Sequence, residues 1–415
     1  MLQMWRLNNV AHRVDAMNII VQSAEAENKG MKGFAFFELG FRSFFLMAGI
    51  FAVLLMATFV LALATDVWHY NYFSLFTWHA HEMVFGYAVA VVAGFLLTSV
   101  RNWTGMDTAT GGGLLLLTLL WLAGRFAPAI PTLPGWLIAL LDLSFLPVLA
   151  MVISIPILKL NQRHNFPVPL LLLLMAIGNT LIYAEMLELS FGSTERGMII
   201  GIGALLLLMS VIGGRVMPFF TERGLPGVAV TRRKWVESSA TPVIALWLLL
   251  ELLLPGSIWV AIAAMGAAVV SGVRLIGWGS LRIWQQPMLW VIHLAYAWLV
   301  AGFVMQGLAA MGWVSTTIAL HSWTAGAIGL FTLGMMARVA LGHTGRPIEA
   351  SPMMTVAFVS LALVAPVRVL LPLLFPSAIE AALLIAAIGW MLAFAIFVWV
   401  YAPYLVRPRA DGQAG

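Results

Sequence analysis

The sequence predicts an all-α membrane protein, a polytopic bundle of about twelve transmembrane helices. Of its 415 residues, 62% are hydrophobic and only 9% are charged, and the mean hydropathy is +0.98. Apolar runs of about 20 residues recur along most of the chain, and each can cross a hydrocarbon core roughly 30 Å thick. A transmembrane barrel would instead show alternating segments of ~10 residues, which the sequence lacks. A water-soluble globule is excluded by this composition.

Proline and glycine residues separate the apolar runs into twelve predicted spans. These cover residues 44–64, 80–100, 112–130, 135–158, 167–189, 196–214, 239–254, 258–273, 288–311, 317–341, 353–374 and 378–402. Residues 1–33 form a polar N-terminal arm without the apolar core of a signal peptide. We therefore expect a cytosolic arm, a membrane domain over residues 34–405 and a cytosolic tail over residues 406–415.

The basic residues predict the orientation of the spans. With the N-terminus inside, every Lys and Arg except Arg125, Arg196 and Arg368 falls in or beside the arm, the inner loops or the tail. Because positive charge concentrates on the cytoplasmic side, both termini are expected to be cytoplasmic. The pI near 9.7 is then explained by the inner loops, and no nucleic acid partner is expected.

Ionisable side chains inside spans are expensive and indicate functional sites. Six ionisable residues within spans or at their ends form an outer group and an inner group: His79, His81, Glu82 and His321 at the outer face, and His293 and His343 near the inner face. Imidazole is a common ligand of haem iron, copper and zinc. The chain has no cysteine, which excludes thiolate sites, iron–sulfur clusters and covalently attached haem. The alternative is that these histidines make only structural hydrogen bonds at the membrane interface.

The motif TWHAHEM constrains how its ionisable residues can cooperate. His79 and His81 are two residues apart, about 200° around an α-helix, so they are expected to face different partners. Glu82 follows His79 by three residues and is expected to share its face. One histidine could ligate haem iron opposite a histidine of another span.

Spans two and ten share a pattern of residues. Aligning His81 with His321 also aligns glycines five and thirteen residues later and a Thr-Gly pair that follows them. Glycine allows a neighbouring helix, or a flat macrocycle, to approach the backbone closely. The pattern has two alternative explanations, an internal repeat or chance similarity between glycine-rich spans.

Two basic motifs lie at the inner ends of spans. GGRVMPFFTERG contains Arg215 at the end of span six, and MMARVALGHTGRP contains Arg338 near the end of span ten. Guanidinium groups at these positions could hold haem propionates or another anion. The alternative is that they only anchor the inner loops, although Arg338 lies within its span.

These motifs together resemble the NnrS family. The resemblance is carried by TWHAHEMVFGYAVAVVAGFLLTSVRNWTG and HSWTAGAIGLFTLGMMARVALGHTGRP, with shorter matches at FELGFRSFF, GGRVMPFFT and PMLWVIHLAYAWLVAGF. It covers nearly the whole chain after residue 34, although Ser43 stands where the family usually has proline. NnrS proteins are bacterial inner-membrane proteins, described as containing haem and copper and linked to denitrification and nitrosative stress. The histidines of the family map onto His79, His81, His293, His321 and His343.

The resemblance implies a haem-binding protein of nitric oxide metabolism or nitrosative-stress protection. We expect one or two haem b groups, with copper as the alternative for the second centre. His81 and His321 would hold the outer haem iron, with His79 beside them, and His293 and His343 the inner centre. Glu82 and Arg338 are the candidate catalytic residues, and Arg215 and Arg338 the candidate propionate ligands.

Three activities are compatible with these motifs. The protein could be an oxidoreductase that reduces nitric oxide with electrons from a quinol or a cytochrome. It could instead bind nitric oxide without turning it over. The alternative from another class is a twelve-span transporter of an anion, a metal complex or haem.

Overall fold

The structure is a computed structural model that describes residues 33–68, 72–279 and 281–413. The predicted N-terminal arm lies outside the described residues, apart from Gly33. The described part contains twelve helices long and apolar enough to cross a membrane, and it contains no β-strand. The prediction of an all-α bundle of about twelve spans is therefore confirmed.

The helices follow the order of the predicted spans. They are α1 (Gly40–Thr65), α2 (Leu75–Thr104), α3 (Gly111–Ala129), α4 (Gly135–Lys159), α5 (Arg163–Met186), α6 (Ser193–Gly224), α7 (Lys234–Leu253), α8 (Ile258–Trp278), α9 (Pro287–Ala310), α10 (Thr316–His343), α11 (Pro352–Leu374) and α12 (Pro376–Val406). Local chemistry fixes several of their starts. Ser74 caps α2 by accepting a hydrogen bond from the backbone N–H of Thr77 at 3.2 Å. Proline begins α9 and α11, where its missing N–H costs nothing.

Helix α6 is longer than the sequence predicts. It continues to Gly224, beyond the predicted end at residue 214, and it contains Pro218 in its interior. Met217, Pro218 and Thr221 are all buried in the bundle. Packing of this last stretch against the neighbouring helices therefore maintains a helix that the proline alone would interrupt.

Helices α2, α6 and α10 lie at the centre of the bundle. About four-fifths of the central stretch of each is buried (83% in α2 and α10, 78% in α6), whereas no other span exceeds 61%. Neighbouring spans pack on one another around this centre, and α1 packs against α12. Ionisable side chains on α2 and α10 therefore meet other protein groups rather than lipid.

Helices α2 and α10 share an unusual local structure. Each contains a seven-residue π-helical segment, Glu82–Ala88 in α2 and Ser322–Ile328 in α10, which starts directly after the aligned histidine. Each helix is also followed closely by a glycine in the left-handed region, Gly105 with φ of 67° and Gly345 with φ of 71°. The similarity of the two sequences thus corresponds to the same backbone conformation. Short π-helical segments are rare and frequently mark functional sites.

Both ends of the membrane domain lie on the same side. The backbone N–H of Ala35 donates to the carbonyl oxygen of Val406 at 2.9 Å. The buried guanidinium of Arg42 donates to the carbonyl oxygen of Arg407 at 2.6 Å. An even number of spans requires this arrangement, and the assignment of that side to the cytoplasm stays a prediction.

Candidate functional site

The N-terminal end of α2, its outer end in the predicted orientation, presents His79 and His81 to different parts of the bundle. His79 stacks on Phe59 of α1, with ring centroids 4.1 Å apart. His81 stacks on Phe73, with centroids 5.3 Å apart, and lies against Tyr183 of α5. The two imidazoles have separate surroundings, as their spacing of two residues requires.

His81 belongs to a group of five buried polar side chains, which we call the charged cluster. Its members come from α2, α3, α4 and α5, and they are His81, Glu82, Arg125, Asp142 and Asn179. Arg125 Nη1 donates to Glu82 Oε2 at 2.5 Å, and Arg125 Nη2 donates to Asp142 Oδ1. One guanidinium therefore joins two carboxylates from different helices, a use that suits its planar, forked donors.

Polar contacts in the charged cluster fix the orientation of the His81 ring. Asn179 Nδ2 donates to Asp142 Oδ2 at 3.0 Å, so Asn179 Oδ1 is the atom that faces His81 Nε2, at 2.8 Å. His81 Nδ1 lies 3.1 Å from Glu82 Oε1. Both ring nitrogens of His81 thus face oxygen atoms of the charged cluster, which fix the orientation of the ring.

Two glycines make room for the charged cluster. A Cβ at Gly86 would lie 2.6 Å from Glu82 Oε2, and a Cβ at Gly124 would lie 2.7 Å from Asp142 Oδ1. Gly86 is one of the glycines shared by spans two and ten. The space beside Gly86 is thus filled by the side chains of Glu82 and Arg125.

Two sequence expectations for this region do not match the geometry. His81 is not directed at His321, because both of its ring nitrogens are engaged within the charged cluster. Glu82 does not share the face of His79; it contacts His81 and Arg125 instead. The π-helical segment starts at Glu82, and its wider turn changes the angle that α-helical spacing predicts.

Instead, His79 is the histidine of α2 that faces α10. His79 and His321 lie within electrostatic range of each other and of Arg368 on α11. His79 Nδ1 is buried and has no hydrogen-bond partner among the described residues. His321 Nδ1 donates to the carbonyl oxygen of Thr317 at 2.8 Å, which leaves the lone pair of Nε2 free. We call His79 and His321 the outer imidazole pair.

His293 lies near the predicted inner ends of the helices, and its ring is oriented by a backbone carbonyl oxygen, as that of His321 is. Its Nδ1 donates to the carbonyl oxygen of Leu289 at 2.9 Å, and its Nε2 lies 3.3 Å from the hydroxyl of Thr221 on α6. It also lines an open apolar cleft of about 450 Å³ between α8 and α9, beside Leu275 and Trp284. His293 is therefore placed at the wall of a space that could hold an apolar ligand.

His343 has different neighbours from His293. Its ring lies 5.6 Å from that of Phe41 on α1, and its Nε2 lies 3.4 Å from the amide nitrogen of Asn102 on α2. His293 contacts α6 instead, and no contact joins the two histidines in the described part of the chain. The predicted inner centre with both histidines as ligands is not assembled by these contacts.

The two predicted propionate ligands also differ. Arg215 is engaged by the protein, because Nη1 donates to Asn165 Oδ1 at 2.5 Å and Nη2 to the carbonyl oxygen of His164 at 2.7 Å. The guanidinium carbon of Arg338 lies 3.8 Å from the ring centroid of Phe220, and Arg338 makes no hydrogen bond or ion pair with any described residue. Of the two, only Arg338 has a guanidinium that no acceptor among the described residues engages.

A comparison with protein families assigns the chain. The family model described as NnrS protein matches residues 35–409, which include the charged cluster and all the candidate histidines and arginines. The chain belongs to the NnrS family. Among curated proteins, no match is found. The membership supports a membrane protein with a role related to nitric oxide.

Sequence reasoning missed two residues of this NnrS protein that hold the charged cluster together. Arg125 was one of three exceptions to the charge asymmetry, and that exception was the signal that it has a buried partner. Asn179 is a single amide in the apolar run of α5, and polar groups inside spans favour interhelical hydrogen bonds. Within the described ranges, no group of three or more His, Asp or Glu side chains is arranged to hold a metal ion.

Proposed function

We propose that this NnrS protein binds nitric oxide at a metal held by the outer imidazole pair. Its role would be nitric oxide metabolism or protection from nitrosative stress in the bacterial inner membrane. The observation that carries the proposal is that His79 Nδ1 is buried without a hydrogen-bond partner among the described residues, on a ring within electrostatic range of His321. The bond from His321 Nδ1 to Thr317 leaves the lone pair of its Nε2 free. The family membership supports the link to nitric oxide.

The donor set fits haem iron or copper. Both metals accept imidazole ligands, and both histidines have a nitrogen that the described residues leave without a partner. A buried polar atom without a partner is costly, so a ligand on His79 Nδ1 would remove that cost. The orientation of His321 by a backbone carbonyl is also the usual arrangement of a metal-ligating histidine. When bound, copper would supply a coordination position for nitric oxide beyond the two imidazoles, and haem iron would supply one where a single imidazole ligates it.

The surrounding residues would orient and shield the pair. Phe59 stacks on one face of His79 and excludes water from it. The charged cluster ties the next turn of α2 to α3, α4 and α5, because Glu82 and His81 both take part in it. We therefore assign Glu82 to the positioning of the outer turn of α2, rather than to proton transfer at the metal.

Absorption spectra and metal analysis of the purified protein test the proposal. We expect a haem or copper signal that is lost in His79→Ala and His321→Ala and retained in His164→Ala, which alters an exposed histidine. In His81→Asn the signal should persist if the variant folds, because His81 is not a ligand. Loss of the signal in His81→Asn but not in His79→Ala would restore the pairing of His81 with His321. A colourless, metal-free protein with full protective activity in cells would overturn the proposal.

Addition of nitric oxide to the reduced protein tests whether the metal has an accessible coordination position. A shift of the absorption spectrum indicates an accessible coordination position. A spectrum that nitric oxide leaves unchanged contradicts the proposal that this metal is the nitric oxide site.

Transport is the second candidate function. It is favoured by the twelve spans and by the related local structures of α2 and α10, since internal repeats are common in transporters. Uptake of an anion or of haem into vesicles by metal-free protein, with no effect of the His79→Ala substitution, would favour this function over nitric oxide binding.

A further inference from the structure

We propose that the inner half of α10 contains an oxyanion-binding site centred on Arg338. Arg338 is 7% exposed and lies on one of the three central helices. Its guanidinium carbon lies 3.8 Å from the ring centroid of Phe220 on α6, and its Nε is buried without a hydrogen-bond partner among the described residues. A buried forked donor to which residues 33–68, 72–279 and 281–413 offer no acceptor points to a ligand that supplies acceptor oxygens.

Comparison with the other buried arginines shows that Arg338 is an exception. Four arginines in the described residues are less than a tenth exposed: Arg42, Arg125, Arg274 and Arg338. Arg42 donates to backbone carbonyl oxygens at the end of α12, and Arg125 joins two carboxylates. Arg274 donates to Glu237 and to the carbonyl oxygen of Ser210. The bundle thus provides acceptors for three of its buried guanidinium groups and leaves the fourth with an aromatic ring alone.

The aromatic contact does not compensate for the missing acceptors. The attraction of a cation to an aromatic face is smaller than the cost of burying an unpaired ion. The pairing with Phe220 also occupies only one face of the guanidinium plane, so the donors along its edge stay free. An anion at that edge would supply the counter-charge that the described part of the chain does not provide.

The geometry of the donor selects the class of anion. Guanidinium presents two parallel N–H groups that match the spacing of two oxygens in a planar carboxylate, nitrite or nitrate group. A polar group lies nearby, because Phe220 is followed by Thr221, whose hydroxyl lies 3.3 Å from His293 Nε2. A lipid phosphate is disfavoured, because α10 lies at the centre of the bundle and Arg338 is almost entirely buried. The oxyanion is therefore either a small free ion or a carboxylate of a larger molecule such as haem.

Binding of nitrate and formate to the purified full-length protein tests the site. The thermal unfolding midpoint is measured at constant ionic strength while nitrate or formate replaces chloride, in haem-free and in haem-loaded protein. The test variants are Arg338→Gln and Arg338→Lys. The matched control is Arg346→Gln, because Arg346 also lies over an aromatic ring, 4.1 Å from that of Tyr404, but donates to the carbonyl oxygen of Thr344.

A free oxyanion predicts saturable stabilisation of the haem-free protein by nitrate or formate. Its apparent affinity should fall by about tenfold or more in Arg338→Gln and stay unchanged in Arg346→Gln. A haem carboxylate predicts that haem loading abolishes this stabilisation and that Arg338→Gln retains less haem than Arg346→Gln. Arg338→Lys should retain part of the binding, since it keeps the charge but loses the fork.

The proposal is overturned if neither anion stabilises the protein and haem retention is equal in all variants. Equal loss in Arg338→Gln and Arg346→Gln also overturns it, because that result indicates general attraction to basic surfaces. If Arg338→Gln does not fold, Phe220→Leu removes the aromatic contact and should alter the anion affinity without removing the charge. The His79→Ala variant should bind anions normally, which separates this site from the outer imidazole pair.

Discussion

Removal of the Arg125 side chain offers the sharpest test of the charged cluster. In Arg125→Met, a side chain of similar length fills the space without donating hydrogen bonds. Glu82 and Asp142, which are 2% and 4% exposed, would lose the cation that joins them. The substitution should destabilise the protein, and a lower level of protein in the membrane should be the first observable consequence.

The expected loss of stability in Arg125→Met follows from the burial of Glu82 and Asp142. Breaking a buried ion pair by removal of one partner costs about 3–5 kcal/mol, because the other charge stays buried without compensation. Asp142→Asn, introduced together with Arg125→Met, removes one of the two carboxylates that have lost their ion-pair partner. The double variant should therefore recover part of the loss, and a double-mutant cycle measures the coupling.

Arg101→Met is the matched control. Arg101 Nε lies 2.7 Å from Asp107 Oδ1, but the two side chains are 35% and 69% exposed. An exposed pair contributes only about 0–1 kcal/mol, so this variant should unfold almost as the wild type does. Unfolding in mixed micelles with increasing dodecyl sulfate, followed by tryptophan fluorescence, gives both free energies. Equal losses in Arg125→Met and Arg101→Met would refute the conclusion that burial makes the Arg125 ion pairs indispensable.

Three further predictions concern other parts of the molecule. Asn179→Ala removes the amide that joins the imidazole to a carboxylate, and we expect a loss of about 1–3 kcal/mol in the same unfolding measurement. Gly178→Ala would place a Cβ 2.7 Å from a backbone carbonyl oxygen of α6 and should cost about 1–3 kcal/mol, whereas Gly113→Ala meets no atom within 4 Å and should be nearly neutral. Outside the spans, the hydrogen bond from Arg409 lowers the pKa of Asp411 to about 2. The wild type should therefore be slightly more stable than Asp411→Asn, by a difference that is constant from pH 7 to about pH 4 and declines only at lower pH. Thermal unfolding midpoints of the two proteins measure this difference. A decline above about pH 5 would contradict the prediction.

The number and order of spans could be predicted because each depends on a local property of the sequence. Runs of about 20 apolar residues are visible without knowledge of any contact, and prolines and glycines mark the turns between them. The same reasoning ended span six too early, at residue 214. Pro218 interrupts the local pattern, but packing of the following turn against the bundle maintains the helix to Gly224.

The charged cluster could not be predicted, since its contacts join residues far apart in the chain. Arg125 is 43 residues from Glu82 and 17 from Asp142, and Asn179 is 98 residues from His81. Helical spacing correctly separated the partners of the two histidines of TWHAHEM. It could not show which one faces α10, because that depends on how α2 is rotated in the bundle.

The π-helical segments also have a consequence for how this architecture tolerates insertions and deletions. Each π hydrogen bond encloses one residue more than an α-helical one, so loss of a single residue between His321 and Gly329 would leave an uninterrupted α-helix. Because a π turn holds one residue more than an α turn, the parts of α10 before and after the deletion would keep nearly the same faces toward the bundle. Both His321 and Arg338 would then stay beside their present neighbours. In a helix that is α-helical throughout, the same deletion would rotate everything beyond it by about 100°. The π-helical segment therefore lets the membrane helix absorb a length change of one residue.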